Sequence, residues 1–252
     1  MAIGKKRRFS APPENEMTLH KNLDFTATEQ YKLLRTNLEF TLPENESCPV
    51  IGLTSSMRGE GKSTTAVNLA YVLAEKGSRV LLIDGDLRIP TIAKKLGIKS
   101  SPGLTDLLMG KGAQIGEFQS ALLPNWYILP SGDIPPNPSE LLGSRRMGSI
   151  LEKLKEKFDY ILIDLPPVNI VSDALSISGY ISGMVVVVRE DHTEKKELER
   201  CMRQLKLSNV KVLGCVMNEA KNGERSYGKY RRYKYYKYYK YYRYEQSGSH
   251  KK

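Results

Sequence analysis

Between residues 50 and 76 a short aliphatic run, Val50-IGLT, enters the loop Ser55-SMRGEGKST-Thr65 and leaves it through the helical stretch Ala66-VNLAYVLAEK. This strand, loop and helix constrain the fold more than any other feature of the chain. Gly59 and Gly61 let the backbone close around an anion, and a helix starts where the loop ends, so its first N–H groups face whatever the loop holds. The pattern is that of a phosphate-binding loop, in which Lys62 reaches the β and γ oxygens and the Ser63 hydroxyl binds Mg²⁺. Gly59, Glu60, Gly61, Lys62, Ser63 and Thr64 are therefore the expected nucleotide contacts. Ser56 stands where the generic loop has its first glycine.

Aliphatic runs alternate with longer helical stretches from there on. Candidate strands are 50–54, 79–84, 126–130, 160–164, 184–188 and 210–217, and helical segments fall near 62–76, 91–97, 103–110, 144–157, 172–179 and 193–207. Fully aliphatic strands separated by helices predict an α/β fold, a parallel sheet covered by helices on both faces, with its ligand at the carboxyl ends of the strands. Two further motifs close strands at that edge. Arg79-VLLI-Asp84-Gly-Asp86-Leu-Arg88 carries two carboxylates two residues apart, on one side of an extended segment. Tyr160-ILI-Asp164 ends in one carboxylate, the usual second partner of nucleotide-bound Mg²⁺.

The charge lies at the ends of the chain. Residues 221–252 carry eleven Lys/Arg against two Asp/Glu and residues 1–8 carry four Lys/Arg, so the net charge of +11 leaves residues 9–220 at −2. A nucleic-acid role for the whole domain loses its main support. Ten of the fifteen tyrosines fall in 227–244: Tyr227, Tyr230, Tyr233, Tyr235, Tyr236, Tyr238, Tyr239, Tyr241, Tyr242 and Tyr244. Interleaved with Lys and Arg and without an aliphatic residue, this segment builds no core. Taken alone it suits stacking on single-stranded nucleic acid or lying on anionic lipid. The organisation expected is a flexible basic segment 1–24, an N-terminal helix 25–45, a nucleotide-binding domain 46–220 and a disordered tail 221–252. Three cysteines, odd in number and far apart, argue for free thiols, and no apolar run spans a bilayer, so a cytoplasmic location is expected.

In this order, with the Tyr-rich terminus, the GEGKST loop, the IDGDLR segment and the ILIDLPP segment resemble the bacterial tyrosine kinases of capsule and exopolysaccharide systems, in particular the cytoplasmic catalytic protein of the two-polypeptide form. Glu29-QYKLLRTN-Leu38, Gly132-DIPPNPSELL-Leu142 and Gly214-CVMN-Asn218 extend the resemblance over roughly residues 25–244. It implies ATP-dependent autophosphorylation of the tail in trans and regulation of polysaccharide synthesis and export, with ATP and Mg²⁺ required. It also implies a separate membrane activator of the polysaccharide chain-length type, which would bring the chain to the inner face of the plasma membrane. By the same resemblance Asp86 and Asp164 hold Mg²⁺ with Ser63, Asp84 accepts the phenol proton and Asn218 contacts adenine, although either carboxylate of the Asp84/Asp86 pair suits the base. A helix bearing Glu29, Lys32 and Arg35 at i, i+3 and i+6 is the counterpart of one that builds a ring of subunits, favoured in the unphosphorylated state. The alternative is a partition-type ATPase that positions cargo on a membrane or nucleoid, but Met57 stands where those enzymes carry a signature lysine. Arg58 is either a charge aimed at the transferring phosphate or a solvated loop residue.

Overall fold

The computed structural model describes Leu23 and residues 25–43, 45–111 and 115–220. The N-terminal basic segment and the ten tail tyrosines lie outside the described residues. Contacts divide the chain after Asn218, and the fold below is that of the part ending there. Its elements run α1 (Phe25–Thr41), β1 (Val50–Ser55), α2 (Lys62–Glu75), β2 (Val80–Asp84), α3 (Ile92–Leu96), α4 (Leu104–Met109), β3 (Trp126–Leu129), α5 (Pro138–Leu142), α6 (Arg145–Lys155), β4 (Tyr160–Asp164), α7 (Asp173–Ser176), β5 (Gly183–Arg189), α8 (Lys195–Leu207) and β6 (Val212–Asn218).

The six strands form one parallel sheet in the order β3-β2-β4-β1-β5-β6. Period-2 alternation explains why the strands are aliphatic throughout. Leu81, Ile83, Ile161, Ile163, Met184 and Val186 pack into the core on one face, with Leu104, Met147, Leu151 and Leu205 of the helices. Val80, Leu82, Ile51, Leu53, Leu162 and Val185 point the other way, onto α1, α2 and α3. Every residue of β1, β2 and all but the last of β5 is buried. The chain leaves β1 toward β2 on one side and returns past it from β4 to β5, so β1 and β4 flank the crevice where such folds take a ligand.

Helix α2, with ten of its residues buried, lies across one face, and α1 packs on it. Arg35 donates to Val72 O at 2.7 Å and Lys76 to both oxygens of Glu39 at 2.8 Å. The expected N-terminal helix 25–45 stops at Thr41, because Pro43 disfavours helical geometry in the residue before it. The helix expected over 172–179 is one turn, Asp173–Ser176, followed by a 3₁₀ turn at Ser178–Tyr180.

Candidate active site

The loop between β1 and α2 is held by left-handed glycines, Gly59 at φ 80° and Gly61 at φ 89°. A side chain at 61 is excluded twice over, since a Cβ there would sit 1.9 Å from the Asn218 amide nitrogen. Gly61 offers α2 no side-chain cap, so the first N–H groups of that helix keep their capacity for an anion.

Lys62 extends from that helix start and donates to Asp86 Oδ2 at 3.1 Å, Asp164 Oδ1 at 3.3 Å and the Ser63 hydroxyl at 3.3 Å. Burial works against its charge, but the two carboxylates outweigh it and raise the lysine above its ordinary value. Sheet register brings the aspartates together: Asp84 and Asp164 are Cα partners on adjacent parallel strands, and Gly85 N donates to Asp164 O at 2.8 Å. Gly85 has to be a glycine for this junction, because a Cβ would lie 2.9 Å from that carbonyl oxygen.

The three carboxylates differ in what they have left to give. Asp84 is fully buried; its Oδ2 accepts the Thr91 and Ile92 N–H groups at the start of α3, at 3.1 and 3.0 Å, and its Oδ1 has no hydrogen-bond partner. Burial, then the charge of Asp164, pushes its carboxyl up to about 7. Asp164, also fully buried, has an unpartnered Oδ2, and burial raises it despite Lys62. Asp86 keeps one oxygen on Lys62 and one on the Ile89 N–H at 3.1 Å. Two buried carboxylate oxygens without partners beside a lysine and a serine hydroxyl are expensive unless something binds them. Hard oxygen donors of this kind, open on the ligand side, fit Mg²⁺, which is bound through few protein oxygens together with substrate phosphates.

Glu60 behaves differently from the other loop residues. Its side chain, 1% exposed, turns into the loop and accepts four bonds, so only its backbone remains for a nucleotide. Asn218, at the end of β6, donates to Glu60 O at 3.2 Å and so lies on the phosphate loop. Arg58 is exposed. On α1, Lys32 pairs with Glu29 at 3.0 Å, while one guanidinium nitrogen of Arg35 donates to Val72 O of its own chain.

A network absent from the sequence reading braces the mouth of the site. The guanidinium of Arg88 makes a two-point contact with the fully buried Asp173, at 2.8 and 2.9 Å, and Ser139 donates to the same carboxylate, which joins the segments after β2, β3 and β4. The Arg88 of the IDGDLR segment was the only signal in the sequence.

Comparison with known proteins agrees with this geometry. The model of the AAA domain family matches residues 49–211. Tyrosine-protein kinase YwqD of Bacillus subtilis (strain 168) is 37% identical over 224 residues, covering 88% of this chain and 93% of the relative. The chain belongs to the bacterial tyrosine-protein kinase family. Tyrosine-protein kinase ptk of Acinetobacter johnsonii is 36% identical over 82% of this chain, yet the match covers 28% of that longer protein. Among solved structures, the chimerical protein CapA2B2 superposes with a TM-score of 0.72 at 34% identity, covering 76% of this chain and 84% of its own. Within this kinase family, the parallel phosphate-loop fold, the loop lysine and the strand-end aspartates of the present chain form one continuous site.

Proposed function

We propose that this family member transfers the γ-phosphoryl group of ATP to tyrosine, chiefly to the cluster Tyr227–Tyr244 of a neighbouring copy, and thereby regulates the synthesis and export of a capsular or exopolysaccharide. The observation that carries the proposal is the placement of Lys62 between Asp86 and Asp164, beside the unpartnered oxygens of Asp84 and Asp164. The loop N–H groups and the start of α2 bind the phosphates, and Lys62 leaves its carboxylates for the β and γ oxygens. Ser63, Asp86 and Asp164 would hold Mg²⁺, which when bound would neutralise charge on the phosphates. Asp84 takes the phenol proton on its free Oδ1; the phenol oxygen bonds to the γ phosphorus as the bond to the β–γ bridging oxygen breaks and ADP leaves. Asn218, which donates to Glu60 O on the loop, contacts the adenine.

The ptk relative supports a partner. That protein is roughly three and a half times as long as the matched region and carries further sequence on the same chain; in a two-polypeptide arrangement a separate membrane activator of the chain-length type stands in place of such an extension. Such a partner accounts for a position at the inner face of the plasma membrane, since no helix among the described residues is long and apolar enough to cross a bilayer. For the ring, Arg35 gives one of its donors to Val72 O of its own chain, and Phe25, Leu33 and Phe40 are the exposed large apolar side chains that α1 presents to a neighbouring subunit.

Two experiments test the reading. Purified protein incubated with labelled ATP and Mg²⁺ should carry label on tyrosine, whereas release of free phosphate alone would favour a partition-type ATPase. A Lys62→Met chain with intact tail, mixed with an active chain lacking residues 227–252, should become labelled. No label on the inactive chain at any ratio rules out transfer in trans.

A further inference from the structure

The carboxylate of Glu60 is the most fully used polar group in the phosphate loop, and it contacts no ligand position. Its Oε2 accepts the Ser56 and Met57 N–H groups at 2.8 and 3.2 Å; its Oε1 accepts the hydroxyls of Ser56 and Thr193, each at 2.7 Å. The first three bonds lock the turn that precedes Gly59. The fourth comes from 133 residues away, in the turn between β5 and α8. That turn has further holds on the loop. Arg189 donates to Gly59 O at 3.1 Å, and the His192 ring lies 3.3 Å from Arg58 O. Thr193 is itself fixed, accepting the Arg189 N–H at 2.8 Å, and Asp191 takes a left-handed φ of 58° to bring the turn back. These contacts leave the loop N–H groups after Gly59 unused, so they shape the cradle without filling it.

We infer that Glu60 and Thr193 are positioning residues for the phosphate loop, and that through them the turn after β5 sets how tightly the loop holds a nucleotide. A loop whose glycines allow many conformations loses entropy when it closes on phosphate, and a brace that fixes it beforehand lowers that loss. The brace also makes Glu60 specific. Two of its four partners are backbone N–H groups, which only an oxygen satisfies; the other two are hydroxyls, which can turn to accept from an amide. Glu60→Gln therefore keeps all four bonds with its oxygen toward Ser56 and Met57, while Glu60→Ala leaves buried donors without partners.

This inference rests on the nucleotide-binding reading, and the test separates the two. The probe is a fluorescent non-hydrolysable ATP analogue with Mg²⁺, titrated into the full chain. Glu60→Ala should weaken binding about a hundredfold and Thr193→Val about five- to tenfold, with Glu60→Gln within about threefold of wild type. Thr193→Val added to Glu60→Ala should cost less than Thr193→Val alone, since their bond is already gone and only the Arg189 N–H bond to Thr193 remains to be lost. Because Thr193 lies on a partly exposed surface turn, its variant folds even if Glu60→Ala does not. Wild-type affinity in both Glu60→Ala and Thr193→Val, or fully additive losses, overturns the inference, provided Lys62→Met abolishes binding. Wild-type affinity in Lys62→Met as well would remove the nucleotide site itself.

Discussion

Lys62→Met should cost stability as well as activity, although a loop lysine is normally free to change. The side chain is 11% exposed and bridges Asp86, 9% exposed, and Asp164, fully buried, at 3.1 and 3.3 Å. At an effective dielectric of about 20, unit charges this close attract by roughly 5 kcal/mol. Desolvation of the three groups offsets much of that attraction, but removing only the cation leaves Asp164 buried beside other carboxylates, and a broken buried pair costs about 3–5 kcal/mol. Taking the lower end because Lys62 and Asp86 retain some solvent, we expect a loss of about 3 kcal/mol in nucleotide-free protein, a melting point lower by roughly 6–12 °C. Trp126, the only tryptophan of the chain and fully buried against Tyr71, reports unfolding by its fluorescence in a urea titration. Asp164→Asn in the same chain should restore most of the stability and none of the activity, which should stay down by about a thousandfold or more. A Lys62→Met chain that unfolds at the wild-type midpoint would refute the electrostatic account of this cluster.

Raising Mg²⁺ should partly rescue Asp86→Asn in a tyrosine-phosphorylation assay and not Asp84→Asn, and the opposite pattern would exchange their roles. Gly61→Ala should abolish binding of an ATP analogue, because a left-handed φ costs about 1–2 kcal/mol for an L residue and the new methyl displaces Asn218; calorimetric titration measures it. Iodoacetamide at pH 8 should label native protein mainly at Cys215, which is exposed, and mass spectrometry should find Cys48 and Cys201 modified only in urea, since burial pushes their thiols up to about 11 and 12.

The strands were readable because a sheet buried on both faces demands unbroken aliphatic runs, and β2, β4 and β5 are such runs. The phosphate loop and the strand-end aspartates were readable because parallel register brings strand ends together, so that Asp84 and Asp164 meet without any signal between them. What failed was of two kinds. Short elements lack a period to detect: α5 is a five-residue helix started by Pro138, and α7 has four residues. Tertiary hydrogen bonds leave no local trace either. Nothing near Thr193 points to Glu60, and Arg88 does not announce Asp173, 85 residues away. The Arg35 bond to Val72 O is a third case, since only the packing of α1 on α2 decides it.

On the function proposed, the electrostatics of the site also bear on its turnover. The body of the chain is close to neutral, yet it gathers three aspartates around one lysine at the ends of β2 and β4, and two of their oxygens are unpartnered. Such a site is anionic once Lys62 turns to phosphate. On that proposal it would attract the unmodified tail of a neighbouring copy, with its eleven Lys/Arg against two Asp/Glu. Each transfer places about −1.5 to −2 charges on the tail at neutral pH, so a segment modified several times becomes acidic. On the same proposal the carboxylates that draw the substrate would repel the product, and release would follow from the reaction itself. A fixed arrangement of buried acids would, on that proposal, serve three steps: holding the cation that binds phosphate, accepting the phenol proton, and clearing the phosphorylated chain for the next tyrosine.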